Sequence, residues 1–199
     1  MTDKLARTVR GRLAAAGCLI VGLAACGGGT VSNSPVASTQ TLAFAYFQRC
    51  VNPIFLKQLQ ITLNGVTVTN TCAAAACHNN ATGAGGALRI IPTAQPIDLS
   101  DPANTPAVIR ASDMYKNFYS AQGETIIGSP SLSLLLNKPL VRNVLHGGGQ
   151  IFASDQDPNV KLIEYWISNP APQGQNEFSS ATYAMFTPAD PNTGACNSF

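Results

Sequence analysis

Two cysteines and one histidine lie close together in the segment CAAAACH, which spans residues 72–78. Thiols such as those of Cys72 and Cys77 add to the two vinyl groups of a haem when they lie in such a motif. A histidine directly after the second thiol can bind the iron from one face, and His78 has this position. The usual motif has two residues between the cysteines, whereas this chain has four. The segment predicts one covalent haem c, with Cys72 and Cys77 as the thioether residues and His78 as the proximal iron ligand.

Few side chains are suited to be the second axial ligand of such an iron. His146 is the only other histidine, and the three glycines that follow it, 147–149, allow the backbone to approach a flat ring closely. We predict His146 as the distal ligand and keep Met185 as the alternative, because methionine sulfur is another axial ligand of haem iron. Two axial ligands leave no open position on the iron, so no enzymatic activity is expected. If His146 is instead an exposed loop residue, the open position suits a haem enzyme such as a peroxidase.

The first 25 residues have the composition of an export signal. A basic segment ends at Arg12, and an uninterrupted run of small apolar residues, 13–25, follows it. This run is shorter than the roughly twenty residues that a membrane-spanning helix needs. Its end, LAAC, resembles the lipobox of bacterial lipoproteins, in which the cysteine carries the lipid. The resemblance implies a lipoprotein signal peptide over residues 1–25 and a lipid on Cys26. Because Gly27 is not the aspartate of inner-membrane retention, it also implies an outer-membrane anchor, on the periplasmic face or at the cell surface.

The formal charge of the chain belongs to this leader. The full sequence has twelve basic and ten acidic residues, for a net charge of +2. Four of the basic residues and one of the acidic residues precede Cys26, so eight and nine remain and the net charge becomes −1. Such a chain lacks the basic surface that nucleic-acid binding requires, and no nucleic-acid partner is expected.

The remaining cysteines suggest one disulfide. If Cys72 and Cys77 hold haem and Cys26 holds lipid, Cys50 and Cys196 are left as a pair in an oxidising compartment. One alternative is that these four cysteines of the domain form two disulfides. Another is a non-haem surface lipoprotein that binds a partner or zinc, because a tetrahedral zinc site needs four ligands. The four candidates for that site are Cys72, Cys77, His78 and His146.

The rest of the chain is predicted to form one domain that is preceded by a flexible tether. Residues 26–40 form a polar, flexible tether, and residues 41–199 form the domain. Within it, a helix is predicted over residues 41–59 with a kink or break at Pro53. Alternating residues around Asn64-Gly65 predict a short β-hairpin. Further helices are expected over residues 131–136 and after two capping residues that precede a proline, Thr105 and Asp157.

Several short segments occur in the order found in a known kind of domain. They are 44–55, the Cys-x4-Cys-His motif, 85–88, 133–139, 146–149 and 162–167. Together they resemble the single-haem, cytochrome c-like domains of bacterial surface and periplasmic lipoproteins, over residues 41–169. The resemblance implies a mainly α, cytochrome c-like helical domain with long loops, which transfers electrons to a redox partner protein. Residues 173–199 are expected to form a polar tail on the surface of the domain, held by Cys196.

Overall fold

The computed structural model of the chain describes residues 40–186, 190, 192 and 194–196. The predicted signal peptide, the lipid-bearing Cys26 and the tether up to residue 39 lie outside the described residues. Among the residues described, none of the helices has the length and apolar character needed to cross a membrane.

The described domain is mixed and mainly helical, with one antiparallel sheet of two strands. Its α-helices and strands, in chain order, are α1 (Phe44–Tyr46), α2 (Asn52–Leu56), β1 (Leu59–Leu63), β2 (Val66–Asn70), α3 (Pro106–Ala111), α4 (Asp113–Gly123), α5 (Leu134–Asn137) and α6 (Pro158–Ser168). A π-helical segment (Phe47–Val51) joins α1 to α2, and 3-10 helices cover Pro130–Leu132 and Ser180–Phe186. Long loops connect the helices, as the sequence predicts.

The first helical run, α1 through α2, is continuous across Pro53. The backbone N–H of Asn52 donates to the carbonyl of Phe47, five residues back, which is the wider turn of a π-helix. Pro53 has no N–H to donate, and its ring crowds the preceding turn of a regular α-helix. The wider turn just before Pro53 accommodates this ring, so the helical run continues through Pro53 to Leu56 without the break that was one of the two predicted outcomes.

The core forms where this run meets α4 and α6. Phe47 of the π-segment lies 5.5 Å from Phe118 of α4 and 5.3 Å from Trp166 of α6, measured between ring centroids. All three side chains are fully buried. The indole N–H of Trp166 donates to the carbonyl of Ala43 at 3.0 Å, so its polar group is satisfied inside the core. These contacts hold together helices that are far apart in the sequence.

The predicted starts of α3 and α6 are confirmed by their caps. The hydroxyl of Thr105 accepts from the N–H of Val108, and the carboxylate of Asp157 accepts from the N–H of Asn159 at 2.7 Å. Each cap is followed directly by a proline at the first helical position, where no N–H is needed. The helix expected over residues 131–136 is instead a 3-10 turn followed by α5.

The C-terminal segment is more than the surface tail that the sequence predicts. Met185 and Phe186 are buried, and Phe186 packs against the ring of Tyr46 at 5.6 Å between centroids. The Tyr46 hydroxyl donates to the carbonyl of Gly194. Cys50 and Cys196 form a disulfide, with 6.1 Å between their Cα atoms. The prediction of a surface tail was therefore wrong for its apolar residues, which complete the core around the first helical run.

Candidate functional site

The two histidines of the chain lie opposite each other. The ring centroids of His78 and His146 are 6.1 Å apart, and the two ring planes are within 8° of parallel. Both residues are half-buried. Since 68 positions separate them in the sequence, the fold and not local geometry brings the rings together.

His78 is held by the loop that follows it. Its Nδ1 lies 3.1 Å from the carbonyl oxygen of Leu88, and its own carbonyl accepts from the N–H of Ile90 at 2.7 Å. Its backbone N–H donates to the carbonyl of Cys72 at 2.9 Å. Gly85 passes so close that a Cβ there would lie 2.6 Å from the His78 Nδ1. The loop thus fixes both the position and the orientation of the ring.

His146 is held by the β-hairpin, whose presence the sequence predicts. The Nδ1 of His146 lies 2.6 Å from the carbonyl oxygen of Gly149. Next to it, Gln150 and Thr62 of β1 exchange two backbone hydrogen bonds of 2.9 Å each. Gly149 has a φ of +84°, and a Cβ there would overlap the carbonyl oxygen of Thr62. The hairpin therefore anchors the loop of His146, a role that no pattern in the sequence indicates.

The hydrogen bonds set the same tautomer on both rings. A carbonyl oxygen can only accept, so the proton lies on Nδ1 of each imidazole and the Nε2 lone pair is left for a ligand. Metal-binding histidines commonly show this arrangement. Burial lowers the pKa of His78, and the charges of Lys138 and Arg89 also lower it, while the hydrogen bond to Leu88 acts the other way. The neutral, metal-binding form of His78 is favoured as a result.

The spacing of the rings fits one metal ion between them. Two imidazoles that each bind a metal at about 2 Å, from opposite sides, place their ring centroids roughly 6 Å apart. The observed 6.1 Å agrees with this value.

Cys72 and Cys77 are free thiols beside His78 and are half-buried. Burial, with a smaller contribution from Cys77, raises the pKa of the Cys72 thiol to about 11. The structure does not contain the alternative, a local Cys72–Cys77 disulfide.

In the described part of the chain, no group of three or more His, Cys, Asp or Glu side chains could hold a metal ion. The four residues of the zinc alternative are not assembled there into such a group.

A cavity opens beside the two histidines. Its volume is about 510 Å³, part of it open to solvent, and a second cavity of about 970 Å³ shares five of its lining residues. The shared residues are Cys72, His78, Lys138, His146 and Ile151. The other walls of the smaller cavity are mainly apolar, among them Ile54, Phe55, Leu88, Leu135 and Phe152.

Two leucines at this cavity are unusually exposed. Leu134 is 42% exposed and lines the smaller cavity, and Leu145 is 88% exposed and lines the larger one. A flat apolar ligand between the histidines is of the type that covers such side chains and removes their surface from water.

The methionines lie elsewhere. Met185, the alternative distal ligand, is buried against the core and lines a separate surface pocket with Tyr165 and Asn169. Met114 is also buried in the core. Neither methionine lines the cavities of the histidines.

Comparison with known proteins gives no relative for this chain. No protein-family model matches it, and no curated protein and no solved structure matches it either.

Proposed function

We propose that the chain is a single-haem, c-type cytochrome that carries electrons at the bacterial envelope. The observation that carries the proposal is the pair of parallel imidazole rings, 6.1 Å apart, beside the two thiols of a Cys-x4-Cys-His motif. The residues at the cavity fit a haem in number and in chemistry. Two nitrogens are available for the iron, two thiols for the vinyl groups, and apolar walls surround the macrocycle.

Each residue has a distinct role in this proposal. Cys72 and Cys77 hold the haem c through thioether bonds, His78 is the proximal ligand and His146 is the distal ligand. The haem, when bound, supplies a one-electron change between ferric and ferrous iron. The carbonyls of Leu88 and Gly149 would hold the Nδ1 protons, which leaves the lone pair of each Nε2 available to bind the metal.

The ligand set favours an electron carrier over an enzyme. With His78 and His146 both bound, no coordination position is open to a substrate. Two imidazole ligands also give a lower reduction potential than a histidine–methionine pair does. The apolar walls at Phe55 and Phe152 limit water around the macrocycle, and this too tunes the potential.

The proposed setting is the outer membrane. A lipid on Cys26 anchors the chain, on the periplasmic face or at the cell surface, and the tether of residues 26–40 holds the domain away from the bilayer. The proposed partners are redox proteins, which dock near the haem edge, and no nucleic acid is involved. The LAAC sequence before the tether supports this setting.

Haem staining of the exported protein tests the proposal. The chain is expressed in a host with cytochrome maturation machinery, run on a denaturing gel and stained for haem. We expect the wild-type band to stain and its ferric spectrum to be low-spin. The matched control, Cys72→Ala/Cys77→Ala, should lose the stain. A colourless wild-type band overturns the proposal, and a stained but high-spin protein favours the haem enzyme instead.

A further inference from the structure

Lys138 is the one basic residue among those that line the cavity next to the histidines in the described part of the chain. It follows α5 directly, and its N–H donates to the carbonyl of Leu134 at 3.1 Å. The next residue, Pro139, accepts backbone hydrogen bonds from Ile151 at 2.8 Å and from Phe152 at 3.2 Å. The backbone that carries Lys138 is thus fixed against the wall of the cavity.

The ammonium group of Lys138 has donors that form no hydrogen bond within the described part of the chain. Its nearest carboxylate is that of Glu124, where Nζ and Oε2 are 3.9 Å apart, too far for a hydrogen bond. An ammonium group has three donors, and among the described residues no hydrogen bond from the Lys138 Nζ is present. The Lys138 side chain is 34% exposed, so water now solvates it.

A bound macrocycle would change the solvation of the Lys138 ammonium group. The other walls of the cavity are mainly apolar, so a flat ligand that fills it takes water away from Lys138. A cation that loses water without gaining an acceptor is costly. The Glu124 side chain, only 11% exposed, offers its carboxylate at 3.9 Å and not closer. Glu124 also lines the cavity and forms an ion pair with Lys138, but an acceptor on the ligand could take the hydrogen bonds that Glu124 is too far away to accept.

We propose that Lys138 binds a carboxylate of the ligand, so that the cavity selects a flat apolar macrocycle with an anionic edge. In haem this carboxylate is one of the two propionates. Lys138 is then a specificity-determining residue, which would hold the anionic edge of the macrocycle while the two thioether bonds form. This inference rests on the proposed function, because it concerns the same ligand.

Binding of two porphyrins that differ only in this group tests the inference. Iron mesoporphyrin IX has no vinyl groups, so it cannot form thioethers, and its dimethyl ester lacks the free carboxylates. The full wild-type chain, made in a host without maturation machinery, is titrated with each. We expect the free acid to bind about tenfold more tightly than the ester, the effect of one charge-assisted hydrogen bond.

Two variants show whether Lys138 causes the preference. Lys138→Met should remove it, so that acid and ester bind alike. Lys161→Met should keep it, because the Nζ of Lys161 has a comparable carboxylate distance, 3.8 Å to Glu164, but Lys161 does not line the cavity. A preference that survives in Lys138→Met, or that wild type lacks, overturns the inference and leaves the proposed function in place.

A second measurement tests the inference if the chain binds neither porphyrin before haem is attached. Redox-difference infrared spectra of the matured haem protein report the carboxylate bands of the propionates. These bands should shift in Lys138→Met and stay in place in Lys161→Met. Unchanged bands in Lys138→Met overturn the inference, whereas a protein that never acquires haem overturns the proposed function itself.

Discussion

The two histidines of the cavity are held in different ways. His78 depends on its neighbours in sequence, because the groups that bind it, from Cys72 to Ile90, lie within twelve residues of it. The loop of His146 depends on Thr62, which lies more than eighty residues before it. The first arrangement is local, and the second exists only when the hairpin has folded against the loop.

This difference has consequences for how firmly each ring is held. Local hydrogen bonds close a short loop, which costs little chain entropy, whereas the contact between Thr62 and Gln150 closes a long one. The hairpin also has only two strands, and such a sheet has little stability without further packing. We therefore expect the distal side to open first when the domain is perturbed, with the proximal side intact.

The largest expected effect on this comparison comes from His146→Ala. The haem should remain covalently bound through Cys72 and Cys77, while the ferric spectrum changes from low-spin to high-spin and the iron binds small ligands. The measurement is the visible spectrum with and without added cyanide. The control is Met185→Leu, a substitution of similar volume that should leave the spectrum unchanged. The opposite pattern would assign the distal position to Met185.

Removal of the disulfide should destabilise the whole domain and should not disturb the surroundings of one histidine more than those of the other. Cys50→Ala/Cys196→Ala opens a link between residues 146 positions apart. Loss of a native disulfide costs about 2–5 kcal/mol of the free energy of unfolding, chiefly by freeing the unfolded chain. Denaturant unfolding measures the loss, and the spectrum of the folded variant should stay low-spin. A high-spin folded variant would show that the disulfide also positions the histidines.

A smaller change, Gly149→Ala, should disturb the distal side alone. The φ of +84° disfavours any residue with a Cβ, by roughly 1–2 kcal/mol, and the Cβ would also meet the carbonyl oxygen of Thr62. We expect a mixture of low-spin and high-spin ferric iron at neutral pH. Gly147→Ala is the matched control, because a Cβ there has nothing within 4 Å. Equal spectra for both variants would show that the hairpin does not hold the ring.

Contacts between residues that are close in sequence are predicted better than contacts between residues that are far apart. The hairpin follows from Asn64-Gly65, whose φ angles of 52° and 77° suit the tight turn that this pair favours. The caps of α3 and α6 follow equally from Thr105 and Asp157, because a cap involves only its own few residues.

What the sequence leaves out are the contacts between distant segments. The pairing of Thr62 with Gln150 uses backbone groups, which every residue has, so no side-chain pattern reveals it. The burial of Phe186 against Tyr46 is missed for a related reason, since a polar segment with few apolar residues resembles a surface tail. Lys138 becomes notable only when the cavity brings it to His78 and His146.

The smallest expected effect concerns a carboxylate remote from both histidines. Glu177 is buried, and its Oε1 accepts from Arg110 Nε and from the Tyr115 hydroxyl, each at 2.8 Å. Burial acts to raise the pKa of Glu177, but the hydrogen bonds from Arg110 and Tyr115 lower it, and the net result is a lowered pKa. Because the folded state favours the ionised form, Glu177 stabilises the domain above the ordinary glutamate pKa of about 4.3, and this stabilisation is lost as the pH falls through the lowered value.

Glu177→Gln should therefore lower the free energy of unfolding by about 1 kcal/mol at pH 7, because the amide oxygen can still accept but lacks the charge that strengthens both hydrogen bonds. Once the pH falls below the lowered pKa, the wild-type side chain is protonated as well, so the two proteins should approach equal stability. Urea unfolding at pH 7 and at a series of lower pH values measures this, with the solvent-exposed pair of Lys116 and Asp113 as control through Asp113→Asn. The spectrum of folded Glu177→Gln should remain low-spin, since neither histidine contacts this group. A stability difference that does not shrink as the pH falls would show that packing of the side chain, and not its charge, holds the C-terminal segment in place.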